Sequence, residues 1–197
     1  MNNYIPNKGS MKKTKFRSHQ NKILKNKIIN LKGVKTVLNT GSFPLETDKS
    51  GVFYKDYFLN HHYYTLDKNK GNLGNNHFNM DLCDLSLVKK SFDLVLCMSV
   101  LEHVKNPFMA AKQLKTISNK YLFITVPFIF PFHQKYKKGL MDYWRFTDEG
   151  LRELFSDFDE VWIEKIDSVI KEVKDKKKHW NQENSKAGYI SLFKRKI

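Results

Sequence analysis

The spacing of apolar residues along the chain changes between a helical and an extended period. Apolar positions recur at helical spacing from Gln20 to Leu31, and Gly33 provides a stop signal, so we expect a first helix there. Further along the chain, short β-favouring runs bounded by polar turns predict strands. The predicted strands are Thr36–Thr40, Tyr63–Asp67, Phe78–Met80, Phe92–Cys97, Tyr121–Val126, Phe158–Ile166 and Gly188–Arg195.

Two more helices are predicted between these strands. One spans about Asn106–Ser118, with Pro107 in its first turn, and the other spans Asp148–Phe155 behind a Thr147 cap. Strands and helices that alternate in this way are typical of a parallel α/β sheet. The connection between the last two strands is long, polar and rich in lysine, which predicts an extended loop or an inserted helix over Ser168–Lys178.

The composition is that of a single globular domain preceded by a polar arm. The chain has 197 residues, of which 41% are hydrophobic, and only two cysteines, so a core without disulfide bonds is expected. Residues 1–18 have few apolar side chains and predict a basic flexible arm, whereas residues 19–197 form one domain. The longest apolar run, Tyr121–Phe132, is shorter than the ~20 residues that span a bilayer. We therefore expect a cytoplasmic protein without a membrane span or secretory signal.

A net charge of +15 leaves two interpretations open. Basic surface is the electrostatic footprint of nucleic-acid binding, and lysine-rich clusters lie near both ends of the chain, at residues 12–17 and 174–178. Only four of the 35 basic residues are arginines, although arginine is favoured for planar recognition of phosphates and bases. The scattered lysines therefore favour a partner other than nucleic acid. Nucleic-acid binding stays open as the second interpretation.

Three residues at the ends of predicted strands fit a cofactor that contains a nucleoside. In an open parallel sheet, the ligand lies beyond the carboxyl ends of the strands, where the strand order reverses. Gly41 follows the first strand and lets a ligand approach the backbone, and Asp67 ends the second, where an acid accepts hydrogen bonds from a ribose. Asp81 follows the third strand. Together, in this order, the three residues indicate a nucleoside-containing cofactor.

Two sequence blocks resemble a known superfamily. The segment FDLVLCMSVLEHVKNP, residues 92–107, resembles the fourth-strand region of class I S-adenosylmethionine-dependent methyltransferases. The blocks VPFIFPFH, residues 126–133, and DYWRFT, residues 142–147, resemble a bacterial branch similar to methyltransferase type 11 proteins, which is associated with glycan and small-molecule modification. The resemblance implies a Rossmann-like α/β fold with a seven-stranded, mostly parallel sheet of order 3-2-1-4-5-7-6 and helices on both faces. It also implies S-adenosylmethionine (SAM) as cofactor and S-adenosylhomocysteine (SAH) as product.

The resemblance assigns cofactor-binding roles by position. The corresponding residues are Asn39, Gly41 and Ser42 in the cofactor loop, Asp67 at the ribose hydroxyls, Asp81 and Leu82 at the adenine, and Met98 and Ser99 at the methionine part. The loop itself departs from the superfamily pattern, because an amide replaces the usual acid and two glycines are missing. We expect the loop to take another path, through Gly51, or to bind the cofactor more weakly.

Candidate acceptor-binding residues follow the fifth predicted strand. His133 is the best candidate for a general base, because its unperturbed pKa lies near neutrality. Asp142 could orient that histidine or bind a substrate hydroxyl, and Arg145 could hold a carboxylate or phosphate. Glu102 and His103 are expected to begin a helix at the floor of the pocket. No metal site is expected, because no second histidine stands at helical metal-ligand spacing from His103.

The sequence therefore favours an enzyme that methylates a small molecule or glycan, on an oxygen atom, with SAM. Methylation of RNA or protein through the basic surface is the first alternative. A catalytically silent binding module that keeps the fold is the second, because the glycine loop is degenerate.

Overall fold

All seven predicted strands are present in the computed structural model, which describes residues 15–48, 50–68, 74–129, 141–167 and 186–196. They are β1 (Thr36–Thr40), β2 (His62–Asp67), β3 (His77–Asn79), β4 (Phe92–Met98), β5 (Ser118–Pro127), β6 (Phe158–Asp167) and β7 (Lys186–Arg195). They form one sheet of order β3-β2-β1-β4-β5-β7-β6, in which only β7 runs antiparallel to its neighbours β5 and β6. The predicted fold class and strand order are confirmed.

Three α-helices flank the sheet in the described part of the chain: α1 (Lys15–Asn26), α2 (Pro107–Ile117) and α3 (Asp148–Leu154). Helix α1 begins before its predicted start at Gln20, because Phe16 adds another apolar side chain to its buried stripe. The last residues of the predicted arm, 15–18, therefore belong to the folded domain.

The caps of α2 and α3 explain where these helices begin. Asn106 accepts a hydrogen bond from the Met109 N–H at 3.0 Å, and Pro107 occupies the first turn of α2. Thr147 caps α3 as predicted, by accepting from the Gly150 N–H at 3.1 Å. Short side-chain oxygens at these positions thus satisfy backbone donors that the helix itself leaves without a partner.

Helices cover both faces of the sheet and bury a separate core on each. Helix α1 packs on one face, where Leu24 of the helix and Ile28, in the turn that follows it, belong to a cluster with side chains of β1, β4 and β5. Helices α2 and α3 cover the other face through residues such as Leu114 and Phe155. Since β4 and β5 are central strands covered on both faces, their sequences are almost continuously apolar.

The functional edge of the sheet follows from its strand order. Strands β1 to β5 run parallel, so their carboxyl ends share one edge, and the chain order reverses between β1 and β4. The loops after β1 and β4 lie next to each other at this edge. Residues 1–14 and the predicted insertion over Ser168–Lys178 lie outside the described residues.

Candidate active site

Gly41 is the residue that allows the loops after β1 and β4 to pack together. Its backbone has φ +66°, in the left-handed region that favours glycine. A Cβ atom at this position would lie 2.5 Å from Cγ2 of Val100 in the loop after β4. Conformation and space therefore both require glycine here, although the superfamily's other loop glycines are absent.

Asn39 and Ser42 hold the cofactor loop against β2. The buried Asn39 side chain donates from Nδ2 to the Tyr63 hydroxyl at 2.8 Å, while its Oδ1 is buried with no partner within the described residues. The buried Ser42 donates its N–H to the Leu66 carbonyl at 3.1 Å. The amide that replaces the usual acid thus presents an unsatisfied acceptor where a ligand donor could bind.

Two carboxyl groups, Asp67 and Glu46, are close enough at the end of β2 for their charges to interact. Asp67 is the last residue of β2, as predicted for a ribose-binding acid. Burial raises the pKa of Glu46, the hydrogen bond with Ser42 and the charge of Arg17 oppose that rise, and the charge of Asp67 adds to it. The loop after β1 therefore brings a second acid, Glu46, near the strand-end Asp67.

A turn centred on Asp48 replaces the glycine-rich path of this loop. Oδ1 of Asp48 accepts from the N–H groups of Ser50 at 2.6 Å and Val52 at 3.1 Å, and Oδ2 accepts from the Tyr57 hydroxyl. Gly51 lies in this turn with φ +85° and donates its N–H to the Asp48 carbonyl at 3.0 Å. Side-chain hydrogen bonds thus order a loop that in the superfamily is shaped by glycines.

The adenine-binding candidates follow β3. Asp81 is exposed and its Oδ1 accepts from the Cys83 N–H at 2.8 Å, while the segment is tied to β2 by the Met80 N–H, which donates to the Asp67 carbonyl at 3.2 Å. Leu82, which the resemblance places at the adenine, is only 5% exposed and its side chain packs in the core under α2. Asp81 is thus positioned for a ligand, whereas the Leu82 side chain serves the core.

Met98 and Ser99 end β4 beside the cofactor loop. Met98 is buried on the α1 face. Ser99 has φ +56°, the only positive φ among the described residues other than glycine, and it donates its N–H to the Thr125 carbonyl at 2.9 Å. Such backbone strain is concentrated at functional sites, where the surrounding structure holds it in place.

Glu102 is a buried acid directly after β4, in a single 3-10 turn formed by Leu101–His103. Its side chain is 1% exposed, and Oε2 has no hydrogen-bond partner within the described residues. Burial raises the pKa of Glu102 to about 8, and the nearby Asp142 adds to this rise, while Arg145 and Arg17 oppose it. The acid is therefore largely protonated at neutral pH. The predicted helix begins later, at Pro107.

His103, Asp142 and Arg145 form a hydrogen-bonded chain at the same edge. Nδ1 of His103 lies 3.0 Å from Oδ1 of Asp142 and 3.0 Å from the Met141 carbonyl oxygen. Arg145 donates from NH2 to Oδ2 of Asp142 at 2.6 Å and from NH1 to the Trp144 carbonyl at 2.9 Å. Asp142 thus orients His103, and Arg145 in turn holds Asp142.

Helix α1 contributes residues that the sequence pattern did not single out. The Arg17 guanidinium contacts the Tyr54 hydroxyl at 3.5 Å and acts on the pKa of both Glu46 and Glu102. Gln20, one turn further, is fully buried, accepts from the Thr125 hydroxyl at 2.8 Å and leaves its Nε2 without a partner in the described part of the chain. Arg17 belonged to the predicted basic arm. For Gln20, the one available signal in the sequence was a polar residue on the apolar side of the helix.

Other sequence-based candidates lie outside the site or outside the described residues. His133, the predicted general base, is among the residues that the structure does not describe, and so are both lysine-rich clusters apart from Lys15 and Arg17. Across the described ranges, no group of three metal-ligating side chains is brought together. None of the described helices is long and apolar enough to cross a membrane.

Comparison with known proteins agrees with this architecture. The sequence model of a family described as "Methyltransferase domain" matches residues 46–120, which begin within the loop after β1 and end within β5. No curated protein matches the sequence significantly.

Several solved structures share the fold. Magnesium protoporphyrin IX methyltransferase from Synechocystis, solved with bound SAM, superposes with a TM-score of 0.58 at 12% identity, over 91% of this chain and 79% of the other. The N-methyltransferase NodS from Bradyrhizobium japonicum, solved with SAH, gives a TM-score of 0.60 at 11% identity, over 94% and 90% of the two chains. TehB from Haemophilus influenzae gives 0.55 at 13% identity, over 91% and 61%.

The sheet order, the cofactor-side strand ends and the structural matches define a Rossmann-like protein of the class I methyltransferase fold. The methyltransferase domain family matches residues 46–120 of this chain, and the solved methyltransferases share its fold.

Proposed function

We propose that this protein transfers the methyl group of SAM to a hydroxyl of a small molecule or glycan. One observation carries the proposal: the strand order brings a cofactor side, with Asn39, Gly41 and Asp67, next to a buried acid–histidine cluster at the end of β4. Cofactor-binding groups and groups able to accept a proton thus meet at the switch point of the sheet.

The cofactor would lie across the ends of β1 and β2. Asp67 accepts the ribose hydroxyls, Asp81 approaches the adenine, and Asn39 and Ser42 line the loop. Met98 and Ser99 flank the methionine part. Arg17, which projects from α1 between the loops after β1 and β4, supplies a positive charge for the cofactor carboxylate. The chain thus replaces missing backbone glycines with polar side chains.

The acceptor would bind on the β4 side of the same edge. Met141, Tyr143 and Trp144 are 45%, 43% and 39% exposed, and the N–H groups of Tyr143 and Trp144 donate to the Glu102 carbonyl at 2.7 and 3.3 Å. Exposed rings beside polar groups suit a planar or sugar-like acceptor, since such rings combine a large apolar face with a polar edge. The substrate that gives one structural relative its name, magnesium protoporphyrin IX, is also a small molecule.

Methyl transfer needs an aligned acceptor and a site that excludes water, and an oxygen acceptor must also lose its proton. The acceptor oxygen attacks the methyl carbon, the carbon–sulfur bond breaks with its electron pair moving to sulfur, and SAH is formed. A base at the acceptor side takes the hydroxyl proton. His133 stays the sequence-based candidate for this role.

A screen with methyl-tritiated SAM tests the function. Catechol, simple phenols and methyl glycosides serve as hydroxyl acceptors, and short RNA serves as the alternative acceptor. We expect label in a small hydroxyl compound. Label in RNA only, with binding that weakens steeply as salt increases, would instead support the RNA alternative. Cofactor binding without transfer to any acceptor would support the silent binding module that the degenerate loop allows.

A further inference from the structure

A histidine other than the sequence-based candidate is already arranged as a base in the described structure. His103 follows β4 by a few residues, and its side chain is 13% exposed. The neighbouring Val100 lies against Gly41 of the cofactor loop. His103 ends the 3-10 turn that follows Val100, so it belongs to the loop that packs against the cofactor loop.

The contacts of His103 determine which ring nitrogen carries its proton. Nδ1 faces two acceptors, the Asp142 carboxylate at 3.0 Å and the Met141 carbonyl at 3.0 Å. A nitrogen between two acceptors carries the hydrogen, so the neutral ring keeps its lone pair on Nε2. This is the arrangement in which a carboxylate orients a histidine and stabilises the imidazolium that forms after proton transfer.

Asp142 is itself fixed in place. Its side chain is 1% exposed, and Arg145 donates to its second oxygen at 2.6 Å. The backbone of the same segment is anchored, since the N–H groups of Tyr143 and Trp144 donate to Glu102. Oε1 of Glu102 lies 3.7 Å from Nε2 of His103. The imidazole is thus held between a charged carboxylate and a second, buried acid.

We propose that His103 is the general base of this protein and that Asp142 is its positioning residue. The inference rests on the proposed function, because it assumes methyl transfer to a hydroxyl. Nε2 of His103 takes the acceptor proton while the oxygen attacks the methyl group, and the imidazolium then returns the proton to water. Arg145 keeps Asp142 in place and does not contact the acceptor.

The first test is NMR on the full-length protein labelled with 15N-histidine, at pH 7.5. The spectrum of His103→Asn assigns the His103 ring signals. We expect the neutral Nδ1–H tautomer for His103 in the wild-type protein, and a shift toward the commoner Nε2–H form in Asp142→Asn. His19→Asn is the matched control, because His19 forms another histidine–carboxylate pair, with Glu164 at 2.5 Å. It should leave the His103 signals unchanged.

The second test is turnover with methyl-tritiated SAM and catechol or a methyl glycoside. General-base help is typically worth ~10²–10⁴ in rate. His103→Asn should therefore lower kcat by about that factor, with acceptor KM and SAH affinity within ~3-fold of the wild-type values. Asp142→Asn should lower kcat as well, and His19→Asn should not.

Either of two results overturns the proposal. One is a His103 ring in the Nε2–H or imidazolium form in the wild-type protein at pH 7.5. The other is a kcat for His103→Asn within ~3-fold of wild type, whereas His133→Ala loses ~10²–10⁴, which would return the role of base to His133. If the protein binds no SAH at all, the proposed function fails, and the NMR experiment still decides how His103 is held.

Discussion

The loops after β1 and β4 meet at one edge of the sheet but are built by opposite means. The β1 loop has lost most of the superfamily's glycines and is held by side chains, above all the carboxylate of Asp48. The β4 loop keeps the LEHV motif and holds the buried Glu102, while its His103 contacts Asp142 from the segment before α3, and both acids are only 1% exposed. The β1 loop thus departs from the superfamily pattern in the groups it presents to a ligand, whereas the β4 loop carries groups that can accept or donate a proton.

The difference shows that side chains can order a loop at this edge of the sheet where the superfamily pattern has glycines. Gly41 alone is retained where the two loops touch. Elsewhere, carboxylate, amide and hydroxyl side chains of Glu46, Asp48, Asn39 and Ser42 take over the hydrogen bonding. Five substitutions test the two loops and the residues of β2 and α1 beside them.

Asp67→Ala should have the largest effect on the cofactor side. It removes the charge-assisted hydrogen bonds to the ribose, each worth about 1.5–3 kcal/mol, so SAH affinity should fall by about 100-fold. Isothermal calorimetry measures the loss, and Asp159→Ala, an exposed aspartate on the edge strand β6, is the control. Equal affinities of the two variants for SAH would remove Asp67 from the site.

Arg17→Ala distinguishes the carboxylate end of the cofactor from its nucleoside end. We expect SAH affinity to fall by about 10-fold, because an ionic hydrogen bond is lost, while 5′-methylthioadenosine, which lacks the amino-acid part, binds within ~2-fold of wild type. Lys22→Ala, an exposed position on the same helix, is the control. Equal loss for both ligands would mean that Arg17 supports the fold rather than the carboxylate.

Gly41→Ala and Gly51→Ala compare the contact between the loops with backbone strain alone. Both residues have positive φ, but an added Cβ at Gly41 would meet Val100, whereas at Gly51 nothing lies within 4 Å. Strain at positive φ costs on the order of 1 kcal/mol, and the clash adds to it at Gly41. Urea unfolding should therefore show about 2–3 kcal/mol lost for Gly41→Ala and about 1 kcal/mol for Gly51→Ala. Equal losses would mean that the loops do not pack through Gly41.

Glu102→Gln tests the buried acid of the β4 loop. Because burial raises the pKa of Glu102 to about 8, the folded protein holds a proton that the unfolded chain releases near pH 4.5. The stabilising effect is present below pH 4.5 and is lost as pH rises toward 8, so wild type should lose stability over this range relative to Glu102→Gln.

Between pH 5 and pH 8 we expect wild type to lose roughly 3 kcal/mol of stability relative to Glu102→Gln, because each unit of pKa shift is worth about 1.4 kcal/mol, and this loss corresponds to about 6–12 °C in Tm. Glu149→Gln, with a side chain 78% exposed, should show no such pH dependence. Parallel Tm curves for wild type and Glu102→Gln would contradict a protonated Glu102.

The fold was predictable from the sequence because strands buried on both faces leave a clear apolar signature. The strands β4 and β5 were visible in this way, and turn and cap residues predicted Pro107 in the first turn of α2 and the Thr147 cap of α3. The site was less so, since its side chains come from elements distant in sequence. No spacing rule connects Arg17 in α1 with Glu46 and Glu102, or Asp142 with His103 across 39 positions. The burial of the Leu82 side chain was equally hidden in the sequence, because it depends on packing against α2.

The most direct test is calorimetric titration of the folded wild-type protein with SAH. If side chains have replaced the missing glycines in a working cofactor site, one SAH should bind per chain, with a micromolar or tighter Kd. A well-folded protein, shown by a cooperative thermal transition, that releases no heat with either SAH or SAM would contradict that claim.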